Sequence, residues 1–95
     1  MKDQEDVFPR EIPVDGVLDL HTFSPSDAPS LLEEYVQECL NKGIFEIRVI
    51  HGKGTGVLRE RVHSVLRRMP DVASFSLAPP EAGGWGATLV QLRRR

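Results

Sequence analysis

The chain has a single cysteine and no long apolar run, and each shortage excludes something. Cys39 on its own cannot form an internal disulfide or supply a cysteine-based zinc site. No stretch approaches the roughly 18 to 20 apolar residues that a membrane-spanning helix needs. The N-terminal MKDQEDVFPREIP lacks the apolar centre of a secretory signal, so a reducing, cytoplasmic location is the expectation. There is no internal repeat and no low-complexity tract. Two well-known phosphate loops are also missing. GxxxxGK followed by Ser or Thr does not occur, and the glycine spacing found here, GxGxG, is not the GxGxxG dinucleotide fingerprint. ATP and NAD are therefore poor candidates as ligands.

What remains is 95 residues, 40% hydrophobic and 27% charged, the composition of one ordinary globular domain. Its net charge of −2 hides an asymmetry. Residues 1–38 hold ten acids and two bases, a balance of −8, whereas residues 39–95 hold ten bases and four acids, a balance of +6. A basic half suits an anionic partner met by one face, although solvated helix surfaces would give the same count.

Residues 1–13 are polar, contain Pro9 and Pro13 and lack periodicity, which reads as a flexible arm ahead of a domain at 14–95. Asp15-Gly16 is a turn signal. Residues 17–21 read as a short strand with Leu18 and Leu20 on one face and Val17, Asp19 and His21 on the other. Ser24 is the expected N-cap of the first helix with Pro25 at its first position, though Pro29 argues for regular helix only from about Asp27. Leu32, Tyr35, Val36, Cys39 and Leu40 make its apolar stripe, and Gly43 is its expected C-cap. Residues 44–50 read as a strand, 55–69 as a second helix stopped by Pro70, and 72–78 and 87–92 as two further strands. The order β-α-β-α-β-β predicts an α/β fold, a two-layer sandwich with a four-stranded sheet, both helices on one face and the other face open.

Three groups of residues could carry chemistry. His51-Gly52-Lys53-Gly54-Thr55-Gly56 leaves a strand and enters a helix, where glycines allow close backbone approach and the helix offers unpaired N–H groups. Lys53 adds a mobile charge and His51 a group that titrates near neutral pH. A tight structural turn would use the same glycines. Asp19 and His21 project together and could form an oriented general acid or base, or simply a polar pair on a half-exposed strand. Trp85, within Gly83-Gly84-Trp85-Gly86, could stack on a nucleic-acid base or pack as a lid over the core. Arg93, Arg94 and Arg95 form a basic tail able to add phosphate contacts, or a solvated terminus. His63 reads as a helix-surface residue without a role.

LDLH at 18–21, HGKGTG at 51–56, Leu58-Arg59 and GGWGATLV at 83–90 occur in an order and spacing that resemble the small MutS-related (Smr) domain family, over about residues 15–92. The resemblance implies a two-layer α/β sandwich and a nucleic-acid-binding domain that nicks phosphodiesters in DNA or RNA, linked to DNA repair or recombination. It also implies a stand-alone form, since no ATPase portion is present. Asp19, His21 and His51 would be catalytic. Gly52, Lys53, Gly54, Thr55, Gly56, Arg59 and Trp85 would contact the nucleic acid or its phosphates. His21 or His51 would act as general base or acid, with Asp19 orienting a histidine or helping to hold a divalent metal such as Mg²⁺. The alternative is a non-catalytic module that docks on structured DNA, RNA or ribosomes. A small-molecule phosphate binder is a third reading. Thr22 stands where the family's first signature, LDLHG, carries glycine.

Overall fold

The computed structural model describes residues 7–8 and 12–94. Most of the stretch expected as an arm lies outside those residues. Within it, β1 (Val7–Phe8) pairs antiparallel with β2 (Ile12–Pro13), a small ladder that the sequence did not suggest.

The main sheet contains β3 (Val17–Asp19), β4 (Glu46–Ile50), β5 (Val72–Leu77) and β6 (Ala87–Leu92), in the spatial order β3-β4-β6-β5. β3 and β4 run parallel, joined by helix α1 (Ala28–Asn41). Helix α2 (Val57–Arg68) carries the chain from β4 to the far edge strand β5, and β6 returns antiparallel into the gap between them. The α/β sandwich expected from the sequence is thus present, with Leu18, Ile47, Val49, Val90 and Leu92 meeting Leu32, Tyr35 and Val36 of α1 and Val62, Val65 and Leu66 of α2 in one core. Strand residues of the opposite parity, such as Val17, Asp19 and Glu46, are exposed on the sheet's open face. Among the described residues no helix is long and apolar enough to cross a membrane.

Element ends moved for identifiable reasons. The N-cap of the first helix is Asp27, three residues after Ser24, and the helix starts at Ala28; the Ser24 hydroxyl instead meets Ser26 at 2.9 Å and Asp27 at 3.3 Å. A start at Pro25 would have put Pro29 in the helix interior, where its ring meets the carbonyl four residues back. In the helix that forms, Pro29 sits in the first turn, where no N–H is missed. At the other end Gly43 N–H reaches the Leu40 carbonyl at 3.1 Å and Ile44 N–H the Cys39 carbonyl at 2.8 Å, the paired bonds of a Schellman motif. That motif draws Ile44 out of β4, which therefore starts at Glu46. Met69 leaves α2 with ψ 118°, the extended backbone that a following proline imposes.

Tyr35 ties α1 to the start of the sheet: its buried hydroxyl accepts N–H groups from Asp15 (3.3 Å) and Gly16 (3.0 Å), and burial pushes its pKa up to about 12. Cys39 is buried in the core and its thiol is pushed up to about 11 by the same loss of water, so it is no nucleophile near neutral pH. The basic tail is less free than the sequence implied. Arg93 donates to the Pro70 carbonyl at 2.9 Å, and Arg94 stacks on Phe45, 4.3 Å from the ring centre. Arg95 lies outside the described residues.

Candidate functional site

Register brings the three sequence motifs to one end of the sheet. Parallel pairing matches Asp19 with Ile50, so the turn after β3 and the glycine-rich segment after β4 leave side by side. Antiparallel pairing matches Ile50 with Ala87 and Leu77 with Thr88, so the β5–β6 connection lies at that end too. The carboxyl ends of parallel strands are where open α/β sheets usually gather their ligands.

The first wall is the turn after β3. Leu20 N–H still donates to the Ile50 carbonyl (2.7 Å), but the ladder ends there. Asp19 Oδ1 accepts the backbone N–H of His21 at 3.0 Å and its ring Nδ1 at 2.5 Å. This side-chain capture takes His21 off the strand expected for it and into a turn. Thr22 is accommodated in that turn, which Phe23 N–H closes on the Leu20 carbonyl at 2.9 Å. His21 is half-exposed, and its Nε2 has no hydrogen-bond partner among the described residues. Partial burial pushes the Asp19 carboxyl up, but the side-chain bond, the backbone N–H and the charge of His21 together hold it below the ordinary value.

The second wall is the glycine-rich segment. His51 and Gly52 both donate their N–H to the Gly86 carbonyl, at 3.0 and 2.8 Å. Gly52 has φ +81°, and a Cβ built on it would lie 3.4 Å from Cβ of His21, so the two walls are in contact here. Beyond this anchor the amides of Lys53, Gly54, Thr55 and Gly56 find no acceptor among the described residues. They precede α2, whose N-terminus adds the positive end of its dipole. A Cβ at Gly54 would meet nothing within 4 Å. The Arg59 guanidinium folds back to within 2.7 Å of such a position at Gly56, adding charge to the rim. An open cleft of about 380 Å³ runs between these walls, lined by His21, Phe23, His51, Lys53 and Thr55 through Arg59.

The third wall is the connection 79–86, which contains two short 3₁₀ turns, Pro80–Ala82 and Gly84–Gly86, rather than being irregular throughout. Gly86 lies against the second wall: a Cβ there would stand 3.2 Å from Cγ of Lys53 and 3.6 Å from the carbonyl carbon of Gly52. Trp85 is 64% exposed, so it does not cover the core as a lid. It borders a cleft of about 570 Å³ with Lys53, Leu77 and Pro80.

The chain matches the Smr domain family model over residues 18–93. It belongs to the Smr domain family. Among relatives, this Smr domain is 46% identical over 77 residues to the endonuclease MutS2 of Solidesulfovibrio magneticus, covering 81% of this chain and 10% of that protein. It is 44% identical over 73 residues to the endonuclease MutS2 of Streptococcus gordonii, covering 77% and 9%. The chain therefore spans about a tenth of the length of these relatives. Its fold is similar to the Smr domain of Thermus thermophilus MutS2 (TM-score 0.79, 38% identity, 83% of this chain and 99% of that one). It is similar as well to YdaL, a stand-alone small MutS-related protein of Escherichia coli (TM-score 0.78, 28% identity, 83% and 65%).

Of the sequence-derived site residues, Asp19, His21, residues 52–56, Arg59 and Trp85 border this one surface of the Smr domain. His51 differs from the rest. It is 4% exposed, its Nδ1 lies 3.1 Å from the Gly52 carbonyl, and its Nε2 lies 2.8 Å from Oγ1 of buried Thr88. His63 is not a free surface residue, as the sequence reading had it. Its Nε2 reaches the same Thr88 hydroxyl at 2.8 Å, and its ring packs edge-on to His51 and against Phe75. The signal for Thr88 was present in the sequence, because a polar residue at the inward parity of a strand otherwise carrying Val90 and Leu92 needs a buried partner.

Proposed function

We propose that this Smr domain binds nucleic acid across the three walls and hydrolyses a phosphodiester there. The observation that carries the reading is the Asp19–His21 pair, set beside a loop of unpaired amides. With Nδ1–H held by Asp19, the exposed Nε2 of His21 faces solvent at the cleft, able to take a proton from an attacking water while the leaving oxygen takes one from solvent. As the new P–O bond forms and the old one breaks, negative charge grows on the phosphate oxygens. The amides of residues 53–56, Lys53 and Arg59 stand where they would stabilise it. Trp85 offers a face on which a base stacks.

His51, with both nitrogens engaged, supports the loop in this reading, and proton transfer falls to His21. The Asp19 carboxylate is spent on His21, and among the described residues no group of three or more His, Cys, Asp or Glu side chains is placed to hold a metal ion. That donor set does not fit a two-metal site, so no step is routed through one. The likeness to proteins named endonuclease MutS2 supports the nuclease reading, of which a role in DNA repair or recombination in the cytoplasm is a further part of the proposal.

Supercoiled plasmid and labelled RNA, incubated with wild type and His21→Ala, test the proposal. Wild type is expected to nick at least one substrate. The variant should lose roughly 10²- to 10⁴-fold in rate, the usual contribution of a general acid or base, while binding is kept. Wild type that binds both polymers yet leaves them intact with Mg²⁺, Mn²⁺ and chelator overturns the hydrolysis and leaves a docking module.

A further inference from the structure

The hydrogen-bond geometry around Thr88 fixes where every proton of the buried histidine pair must be. A carbonyl oxygen only accepts, so the 3.1 Å contact between His51 Nδ1 and the Gly52 carbonyl requires the hydrogen on Nδ1. A neutral imidazole has one N–H, which leaves His51 Nε2 as an acceptor for the Thr88 hydroxyl at 2.8 Å. That hydroxyl has a single hydrogen, already used. The second 2.8 Å contact, from His63 Nε2, is then an N–H donated into the oxygen lone pair. Both imidazoles are held below their ordinary range. For each, burial is the largest cause. On His51 the bond to the Gly52 carbonyl pulls the other way and Arg59 adds to the lowering. On His63 the His51 ring adds to the lowering, Glu60 pulls the other way, and Arg67 and Arg59 lower it further. Phe75 and Thr88, packed against the pair from the sheet, carry no charge.

The chain of donors therefore runs one way, from His63 through Thr88 and His51 to the Gly52 carbonyl. Its end point is the residue on which the walls converge. Gly52 N–H is tied to Gly86, and its Cα faces Cβ of His21. We propose that Thr88 and His63 are positioning residues for the phosphate-binding loop. They hold the His51 ring in the Nδ1–H form, and His51 holds the Gly52 peptide that sets the amides of residues 53–56 against His21. Neither residue touches the bound polymer. The inference rests on the proposed function only for what the loop binds, because the relay itself is a property of the free protein.

Nitrogen-15 NMR of the full chain at pH 7.5, with wild type, Thr88→Val and Thr88→Ser, tests it. Wild type is expected to show His51 protonated on Nδ1 and His63 on Nε2. Valine keeps the shape of threonine but strands both Nε2 atoms. The two rings should then become mixed tautomers, and amide exchange at Gly52 should rise about tenfold, the scale of one hydrogen bond, with Val49 and Val90 unchanged. Serine restores the hydroxyl and should restore both signatures, together with the affinity for a labelled single-stranded oligonucleotide that valine weakens. His51 protonated on Nε2 in wild type overturns the relay whether or not the variants fold. So does a valine variant with native tautomers and native Gly52 exchange. Failure of plasmid and RNA cleavage would sink the hydrolytic reading and leave these spectra as they are.

Discussion

At the end of β3 a histidine stands in solvent with one nitrogen held by a carboxylate. At the end of the adjacent strand β4 another is enclosed, with both nitrogens occupied. The two differ by which way the chain turns. His21 follows a turn in which Asp19 captures its N–H, so the ring swings outward. His51 continues the inward parity of Ile47 and Val49 and meets Thr88 beneath α2. One arrangement leaves a basic lone pair available for proton transfer, whereas the other consumes every lone pair and N–H in holding a loop. Two histidines of one surface thus differ in what they leave free: His21 an exposed nitrogen, His51 none.

The largest effect that would break this comparison is expected for Asp19→Asn. An amide can donate to Nδ1 and so turn the exposed nitrogen of His21 into an N–H, which removes the base. Nicking should fall by about 10²-fold or more, towards the 10⁴ of a fully mispositioned histidine, with stability within about 0.5 kcal/mol. Unchanged nicking would mean that the exposed pair does no chemistry. A smaller effect concerns the enclosed pair. His51 and His63 titrate below 6.5 in the folded chain and near 6.5 when unfolded, so below that pH the unfolded chain binds more protons. Their stabilisation is present above pH 6.5 and lost as pH falls below it. The urea midpoint should therefore drop between pH 7.5 and 5.5. Asp19 acts in a separate window, its contribution fading only as pH falls below its ordinary value of 3.8. A flat urea profile between pH 7.5 and 5.5 would mean that the enclosed rings are not held neutral. The smallest effect is expected for Thr22→Gly. The turn already closes with threonine in place, so both nicking and midpoint should stay close to wild type, within about 0.5 kcal/mol for stability.

Much of the fold could be read from residue spacing. Leu32, Tyr35, Val36, Cys39 and Leu40 gave α1 its buried stripe, and Pro29 correctly argued for regular helix only from about Asp27. The strand order was not legible. Nothing local in 87–92 says that it enters between β4 and β5, because that depends on pairing across some forty residues. The same limit explains the site. Asp19 and His21 are two residues apart and their pairing was visible. His51, Thr88 and His63 are joined only through the sheet and α2, so spacing alone offered His51 as a group titrating near neutral pH and His63 as a surface residue.

The placement of β6 also has a consequence for how the protein comes into being. The last of the sheet's four strands in chain order occupies an interior position, and the Gly86 carbonyl just before it fastens both His51 and Gly52. While the ribosome is still producing residues 72–77, β3–β4 pairing can already bring the Asp19–His21 pair and the glycine-rich loop side by side, but the Gly86 carbonyl that fastens His51 and Gly52 has not been made. Pairing of such distant segments is the slow kind of event in folding. The surface is therefore completed late, and a chain that stops short of β6 carries the glycine-rich loop without the carbonyl that fastens it.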